Sequence, residues 1–573
     1  MRYKVKKSNN TDIIQRIFDN RNIPMEQRKS FFAPLSNNII PSATYTNMEQ
    51  GCTLLMKHIR DENLILFVVD PDTDGYCSAA MGINYLRFDL YYKNITYIMH
   101  EQKKHGLTKS VMEYIKVLKP SLVILPDAGS SDYKYHKELR ELGIDVLIID
   151  HHECEGYSDD AVVINNQLVD DGNKTLSGGG MMLKFLEYLD GVLCINASNK
   201  YRDLAALSLV ADGMWMTELE TRHYVLEGIK YIKNPFLKTL TTKQVENPYK
   251  HFAFNVAPLV NATIRVGTMQ EKRDLFECML HLDREESLQI RGKGMVKMPL
   301  NEYVVKKAER LRAKQLREIN KILEAEDTVI INDDYPFVIL IHTNNEAQSL
   351  SGLIASKIAD IYNKPALTLR EQEHEGKLMY AGSARSIKGV NDFKAYLSKT
   401  EKFDKCEGHK GAFGVNICAD KLQELLTEYC GKNIPSNVEH IVDKEYVDEC
   451  LSVLDIMKIA SMKPYWSKGF EEPKFFVRLK QVRSTDIEII GASKNTIKIK
   501  HDGISYIKFK CDETETEKIS QEGVKTIDII GSFDVNNWNG RSYPQVKIED
   551  MEIVSTQEFE DVQSMYGFNP FLC

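Results

Sequence analysis

Asp70, Asp72 and Asp74 stand at i, i+2 and i+4 in the segment FVVDPDTDGYCSAA, directly after an apolar run. Three carboxylates so close repel one another and resist ionising unless cations bind among them, so the spacing points to metal. Two further apolar runs end in the same way. SLVILPD closes on Pro126-Asp127-Ala128-Gly129, DVLIIDHH closes on Asp150-His151-His152, and Asp212 follows in AALSLVADGM. Oxygen donors with one or two imidazoles suit Mn²⁺ or Mg²⁺ better than a structural zinc, which prefers closed Cys and His sets. Asp127, His151 and Asp212, added to the first cluster, make enough ligands for two adjacent ions, an arrangement able to clamp a phosphate during in-line attack. Any one cluster has an ordinary reading, since DPDTDG alone is a common surface turn. The set of three strand ends carries the inference.

The elements that must position these groups follow from the apolar runs. LILFVVD, SLVILPD and DVLIID are apolar on both faces and are separated by helical stretches, the pattern of buried parallel strands in a doubly wound α/β sheet. In such sheets the ligand crevice lies at the carboxyl ends of the strands, so the clusters are expected to converge. Shifts in pattern divide the chain into a lead-in (1–55), a catalytic α/β domain (56–235), a helical connector (236–327), a second α/β domain (328–432) and a unit of short alternating strands (433–573) that reads as a β-barrel or sandwich. The connector ends in NEYVVKKAERLRAKQLREINKILEAED, a long helix bearing Lys306, Lys307, Arg310, Arg312, Lys314 and Arg317. A solvated connector and a nucleic-acid-facing surface fit that helix equally well.

At 573 residues the chain is too long for a single core, and its net charge of −8 with 43% hydrophobic residues excludes disordered, collagenous and fibrous classes. No apolar run approaches bilayer length and the first residues lack an apolar signal core, so a cytoplasmic protein with no membrane partner is expected. Eleven scattered cysteines without CxxC spacing favour reduced thiols.

The order DxDxDG, DxG, DHH and an Asp within ALxxxAD resembles the DHH phosphoesterase superfamily. LSGGGMMLKFL, RDLAALSLVADGMWMTELETRHYVLEGIKYI and APLVNATIRVG resemble its RecJ exonuclease branch, GSARS (382–386) and EGHKGAFG (407–414) the accessory DHHA1 domain, and the last unit the RecJ oligonucleotide-binding (OB) barrel. The resemblance implies that Asp70, Asp72, Asp74, Asp127, His151 and Asp212 bind metal, with Asp127 bridging two ions. It also implies that His152 faces the scissile phosphate, that Asp150 orients it, and that Arg265, Ser383, Arg385 and His409 hold substrate. Glu407 departs from the pattern, standing where the family has glycine and adding negative charge where phosphate approaches.

The implied activity is a metal-dependent exonuclease on single-stranded DNA, 5′-to-3′ with mononucleotide products, in DNA recombination and repair. Implied partners are a single-strand-binding protein or a recombination helicase, and a monomer is expected. A DHH phosphodiesterase for short oligoribonucleotides or cyclic dinucleotides, and a catalytically silent single-strand-binding scaffold, compete with it. Residues 433–573 hold 17 basic and 24 acidic residues, yet 474–510 hold nine basic and three acidic with Phe475, Phe476, Tyr506 and Phe509 interleaved. Basic grooves with aromatic platforms hold single strands, but any one aromatic is more often a core residue, with the lysines a solvated face. Trp466 and Trp538 are both expected in the core.

Overall fold

The computed structural model describes residues 2–557 apart from 34–35, 102–103, 243–244, 326, 333, 344–348, 375, 388, 391, 433–439 and 448–449. The chain forms two compact units, Ala33–Asn437 and Met1–Phe32 with Val438–Cys573. Among the described residues no helix is long and apolar enough to cross a membrane.

The larger unit begins with a five-stranded, all-parallel sheet. Its strands are β1 (Ile65–Val69), β2 (Ile95–Met99), β3 (Leu122–Pro126), β4 (Asp145–Asp150) and β5 (Val162–Asn165), in the order β2-β1-β3-β4-β5. Alternate residues enter different cores: Ile65, Phe67 and Val69 pack on one face, Leu66 and Val68 on the other. Burial on both faces explains why β1, β3 and β4 read as unbroken apolar runs. The strand order reverses between β1 and β3, and a crevice opens there at the carboxyl ends. The DPDTDG and PDAG segments leave the sheet at that point.

Helices α1 (Thr73–Asn84), α2 (Gly178–Leu193) and α3 (Arg202–Ala211) pack together against the sheet. The connector contributes α4 (Ala257–Val266), a two-stranded hairpin of β6 (Glu285–Ile290) and β7 (Gly294–Pro299), and the 24-residue α5 (Leu300–Leu323). Ile319 and Ile322 of α5 join the core of the second α/β layer. That layer is a mixed sheet of six strands, including β8 (Val338–His342), β9 (Ala366–His374), β10 (Lys377–Arg385), β11 (Lys405–His409) and β12 (Ala412–Cys418). The pairing register aligns Lys405, Asn416, Ala381 and Arg370 in one cross-strand row, Glu407, Gly414, Ser383 and Thr368 in the next, and His409, Ala412 and Arg385 in a third.

The smaller unit is a seven-stranded mixed sheet in which the edge strands Lys444–Tyr446 and Ile487–Ile490 are not paired with each other, so no closed barrel forms among the described residues. Its spine is a long hairpin, Val524–Trp538 and Arg541–Gln557, interrupted by two register shifts of the kind that bend a sheet. The segment read as a lead-in is divided. Tyr3–Val5 pairs in parallel with His440–Val442, and Arg21 forks onto the buried Asp443, so residues 1–32 are built into the smaller unit. Met48–Arg60 instead buries Met48, Cys52 and Leu55 in the core of the larger one. Pairing between residues more than 400 positions apart leaves no trace in local pattern.

Candidate metal centre and phosphate cleft

Asp70 is the first residue past β1, and its side chain is buried. It accepts a hydrogen bond from Gly106 N–H at 3.2 Å, and His105 Nδ1 lies 2.5 Å from its other oxygen. Asp72 caps α1, accepting from Gly75 N–H at 3.0 Å, while Asp74 lies inside the first turn of the helix. Asp74 is held by the start of α2: Gly178 and Gly179 N–H donate to its two oxygens at 2.9 and 2.8 Å, and Ser208 Oγ donates to one of them. A helix N-terminus, with its unsatisfied N–H groups and positive end, steadies that carboxylate. The glycines are required by closeness, because a Cβ at Gly178 would overlap the Asp127 carboxylate and one at Gly179 would overlap Ser208.

Asp127 follows β3 with a left-handed backbone, φ 69°, which Asp tolerates better than most residues. Its N–H bonds back to Ile149 O at 2.8 Å, and its side chain is fully buried. His151 Nε2 stands 3.2 Å from Asp127 Oδ1 and 3.7 Å from both Asp74 Oδ2 and Asp212 Oδ2. Asp150 accepts from the His151 and His152 N–H groups at 2.7 and 3.2 Å and pairs with His152 Nδ1 at 2.8 Å. Ligand atoms within 4.8 Å of one another fall into three sets: Asp70, Asp72 and Asp127; Asp74, His151 and Asp212; Asp127, His151 and His152. Asp127 and His151 are each shared by two sets, so seven side chains form one continuous donor cluster.

The electrostatics favour a bound cation. Burial pushes the Asp70 carboxyl up to about 6, and burial together with Asp74, Asp72 and Asp70 raises Asp127 well above the ordinary range. Burial lowers His151, leaving a neutral imidazole able to donate a lone pair. Burial also opposes charge on His152, but the Asp150 carboxylate overrides it and raises His152 to about 9. That partner correspondingly holds Asp150 low despite its burial. Asp127 Oδ1 is buried without a hydrogen-bond donor among the described residues, at the point where the sets meet. An orphaned carboxylate oxygen among acidic and imidazole donors fits a divalent cation.

A cavity of about 670 Å³ opens beside this cluster. His105 and Arg265 line it from the first α/β layer and its connector, and Arg370, Ser383, Arg385 and Glu407 line it from the second sheet. Arg265 and Arg385 are close enough for one to lower the other, burial being the larger cause, and Asp72 acts back on Arg265. Two half-buried guanidiniums lining one cavity suit an anion. His409 is not brought to the cavity; it is exposed, two strands from Arg385 in the same cross-strand row. Glu407 lies 2.6 Å from Lys405, which balances its charge at the cavity wall. Sequence reasoning missed His105, Arg370 and Lys405. The strand ITYIM before His105, read as such, places that histidine at the same crevice.

In the smaller unit Phe475, Phe476 and Tyr506 are core residues, and Lys474, Arg478, Lys498, Lys500 and Lys508 are paired with carboxylates, which reduces the basic groove, while Phe509 is 55% exposed. Trp466 is buried as expected. Trp538 is not: it is 66% exposed at the tip of the long hairpin. Arg541 stands directly across from Trp538, and Tyr543, 45% exposed, across from Asn536.

Residues 64–213 match the DHH family, N-terminal domain, residues 334–431 the DHHA1 domain, and residues 443–550 the RecJ OB domain. The chain is 33% identical over 576 residues to YorK of Bacillus subtilis (strain 168), provisionally named an SPbeta prophage-derived single-strand DNA-specific exonuclease, covering 96% of this chain and 98% of that protein. It is 23% identical over 560 residues to the single-stranded-DNA-specific exonuclease RecJ of Escherichia coli (strain K12), covering 90% and 91%. The crystal structure of RecJ in complex with Mn²⁺ from Thermus thermophilus has the same fold, with a TM-score of 0.72 at 18% identity over 95% of this chain and 76% of that one.

Proposed function

Since the chain belongs to the RecJ single-strand-DNA-specific exonucleases of the DHH family, we propose that it digests single-stranded DNA from the 5′ end to mononucleotides, in recombination or repair, with two Mn²⁺ or Mg²⁺ ions. The observation that carries this reading is the donor cluster joined through Asp127 and His151, linked through Asp70 and His105 to a cavity walled by Arg265 and Arg385. Asp70, Asp72 and Asp127 would hold one ion and Asp74, His151 and Asp212 the other, with Asp127 shared. Bound there, the cations supply charge neutralisation and Lewis acidity toward the phosphodiester and the attacking water.

The chain's own groups do the rest. Arg265 and Arg385 grip phosphate oxygens by their planar forks, and Ser383, from the floor of the same sheet, offers a hydroxyl. Asp150 fixes the ring of His152 through Nδ1 and keeps it cationic, so that its Nε2–H can meet charge developing on the scissile phosphate. Asp74, tied by Gly178, Gly179 and Ser208, holds its oxygens in place without rearrangement. In the smaller unit Trp538, Tyr543 and Arg541 offer bases a stacking surface.

The test is digestion of strands labelled at either end, with Mn²⁺ and with chelator, beside a duplex, RNA and a dinucleotide. Metal-dependent mononucleotide release from the 5′ end of single-stranded DNA is expected, and Asp127→Ala should abolish it while strand binding persists. Cleavage confined to dinucleotides, or near-normal hydrolysis by Asp127→Ala, would overturn the reading.

A further inference from the structure

The cations of α5 do not share one fate. Lys307 is paired with Glu271 at 2.9 Å, and Arg312 donates to Phe254 O at 3.1 Å. Lys306, Arg310, Lys314, Arg317 and Lys321 have no ion-pair partner among the described residues. Their positions, i, i+4, i+8, i+11 and i+15, fall on one stripe about 80° wide at about 100° per residue. Four of the five are exposed and Lys306 is half-buried. The acids of the same span, Glu309 and Glu318, lie about 80° or more from the centre of the stripe on either side. The opposite face is committed to packing, with Val304, Ala308, Leu311, Gln315, Ile319 and Ile322 buried.

The stripe continues onto the hairpin that precedes the helix. Leu288 and Met298 turn one face of that hairpin inward, and Arg310 donates to Gln289 O at 2.7 Å, bracing it against α5. Arg310 thereby meets a neutral acceptor and keeps its charge unbalanced. Arg291 and Lys293 occupy the hairpin tip beside Gly292 and Gly294, both at positive φ, and both cations are exposed. At about 1.5 Å per residue the helical part alone spans about 22 Å, room for about six stacked nucleotides at about 3.4 Å each. A chain of net charge −8 repels a polyanion in general, so an acid-free row of this length marks where one can lie.

We propose that this stripe, Lys306 to Lys321 with Arg291 and Lys293, is a second, sequence-independent track for the phosphate backbone, holding the part of a single strand that lies beyond the cleft. The proposal rests on the exonuclease reading for its ligand. Each lysine or arginine meets the backbone as a charge contact that releases counterions, so binding through the track is steeply dependent on salt and on strand length.

The experiment is fluorescence anisotropy of labelled dT30 and dT5 with the full chain in EDTA, where no cleavage occurs, across about 50–300 mM NaCl. The variant is Lys314→Gln with Arg317→Gln and Lys321→Gln; glutamine has nearly the same helix propensity, the buried face is untouched, and Arg310 still braces the hairpin. A second variant, Arg291→Gln with Lys293→Gln, tests the tip. The control removes equal charge at Lys116, Lys402 and Lys421, each already paired with a carboxylate. At about 0.7 per phosphate for single strands, the slope of log K against log salt for dT30 is expected to flatten by about 2 in the triple variant, with at least a tenfold loss of affinity at 100 mM salt. The dT5 affinity and the control should stay within about twofold. Equal loss in the triple variant and the control, or no loss in either, overturns the track alone. Failure of the unsubstituted chain to bind dT30 at all would overturn the exonuclease reading with it.

Discussion

Replacing Asp70 by asparagine should make the metal-free protein more stable and the metal-loaded protein less so. The carboxyl is buried and raised from 3.8 to about 6, so at pH 7.5 its charge costs the folded state about 3 kcal/mol, at about 1.4 kcal/mol per unit. Asparagine removes that charge while its carbonyl still accepts from Gly106 N–H. A gain of about 1–3 kcal/mol is expected in EDTA, which raises the melting temperature by roughly 1–4 °C for a unit of this size. In the unsubstituted protein, cation at about 1,000-fold over its Kd contributes about 4.1 kcal/mol, and the variant forgoes most of it. Scanning calorimetry in EDTA and in excess Mn²⁺ should therefore show the two melting temperatures exchange order, with turnover on single strands falling at least about 100-fold. The pH arm has a definite sign. Folded Asp70 binds its proton more tightly than the unfolded chain does, so the stability of the chelated protein falls as pH rises from the unfolded pKa through about 6, then levels off. The gap between variant and parent should accordingly narrow by about half between pH 7.5 and pH 5. A variant less stable than its parent in EDTA, a gap indifferent to pH, or an undiminished gain from Mn²⁺ would refute the reasoning.

Gly178→Ala puts a methyl group into the Asp127 carboxylate, so Mn²⁺ affinity by titration calorimetry should fall at least about tenfold and hydrolysis by more; unaltered metal binding would mean that α2 does not crowd the centre. Trp538→Ala should weaken dT30 binding by about 1–3 kcal/mol without moving the melting temperature, because the ring is exposed and one base stack is lost. Unchanged affinity would exclude the hairpin tip from the strand's path.

What the sequence reveals here, and what it hides, divides along the distance over which each feature is determined. β1, β3 and β4 are legible because a strand buried on both faces must be apolar at every position, and their acidic ends follow within one to five residues. β2 is half-buried at the sheet edge, so ITYIM lacks that signature, and His105, which it delivers against Asp70, escapes notice. The glycines of LSGGG are visible as a helix start, but their necessity is not, since it depends on Asp74 and Asp127 arriving from β1 and β3. Counting charge along 474–510 misleads for the same reason: Arg478 is neutralised by Asp528, its direct cross-strand partner fifty positions away. Trp538 is expected in the core on residue type alone, whereas the adjacent Asn539-Gly540 hairpin-turn signal places it at the tip of the long hairpin, where it is exposed.

The metal centre concentrates this difference. Seven donors contributed by four separate segments can be gathered only at a sheet's reversal point, and gathering them costs stability that local propensity cannot supply. Asp127 sits in a left-handed backbone, its buried oxygen has no donor among the described residues, and its neighbours are carboxylates; each is unfavourable by itself. A fold retains such a group where binding compensates for it, so the positions that most oppose folding identify the chemistry. That is also why the acidic spacing at Asp70, Asp72 and Asp74 is informative in the bare sequence. Unfavourable spacing of this kind has few structural reasons to exist, whereas a cationic stripe such as that on α5 costs nothing when solvated, so its lack of ion-pair partners among the described residues makes it available to a polyanion and the binding experiment decides its role.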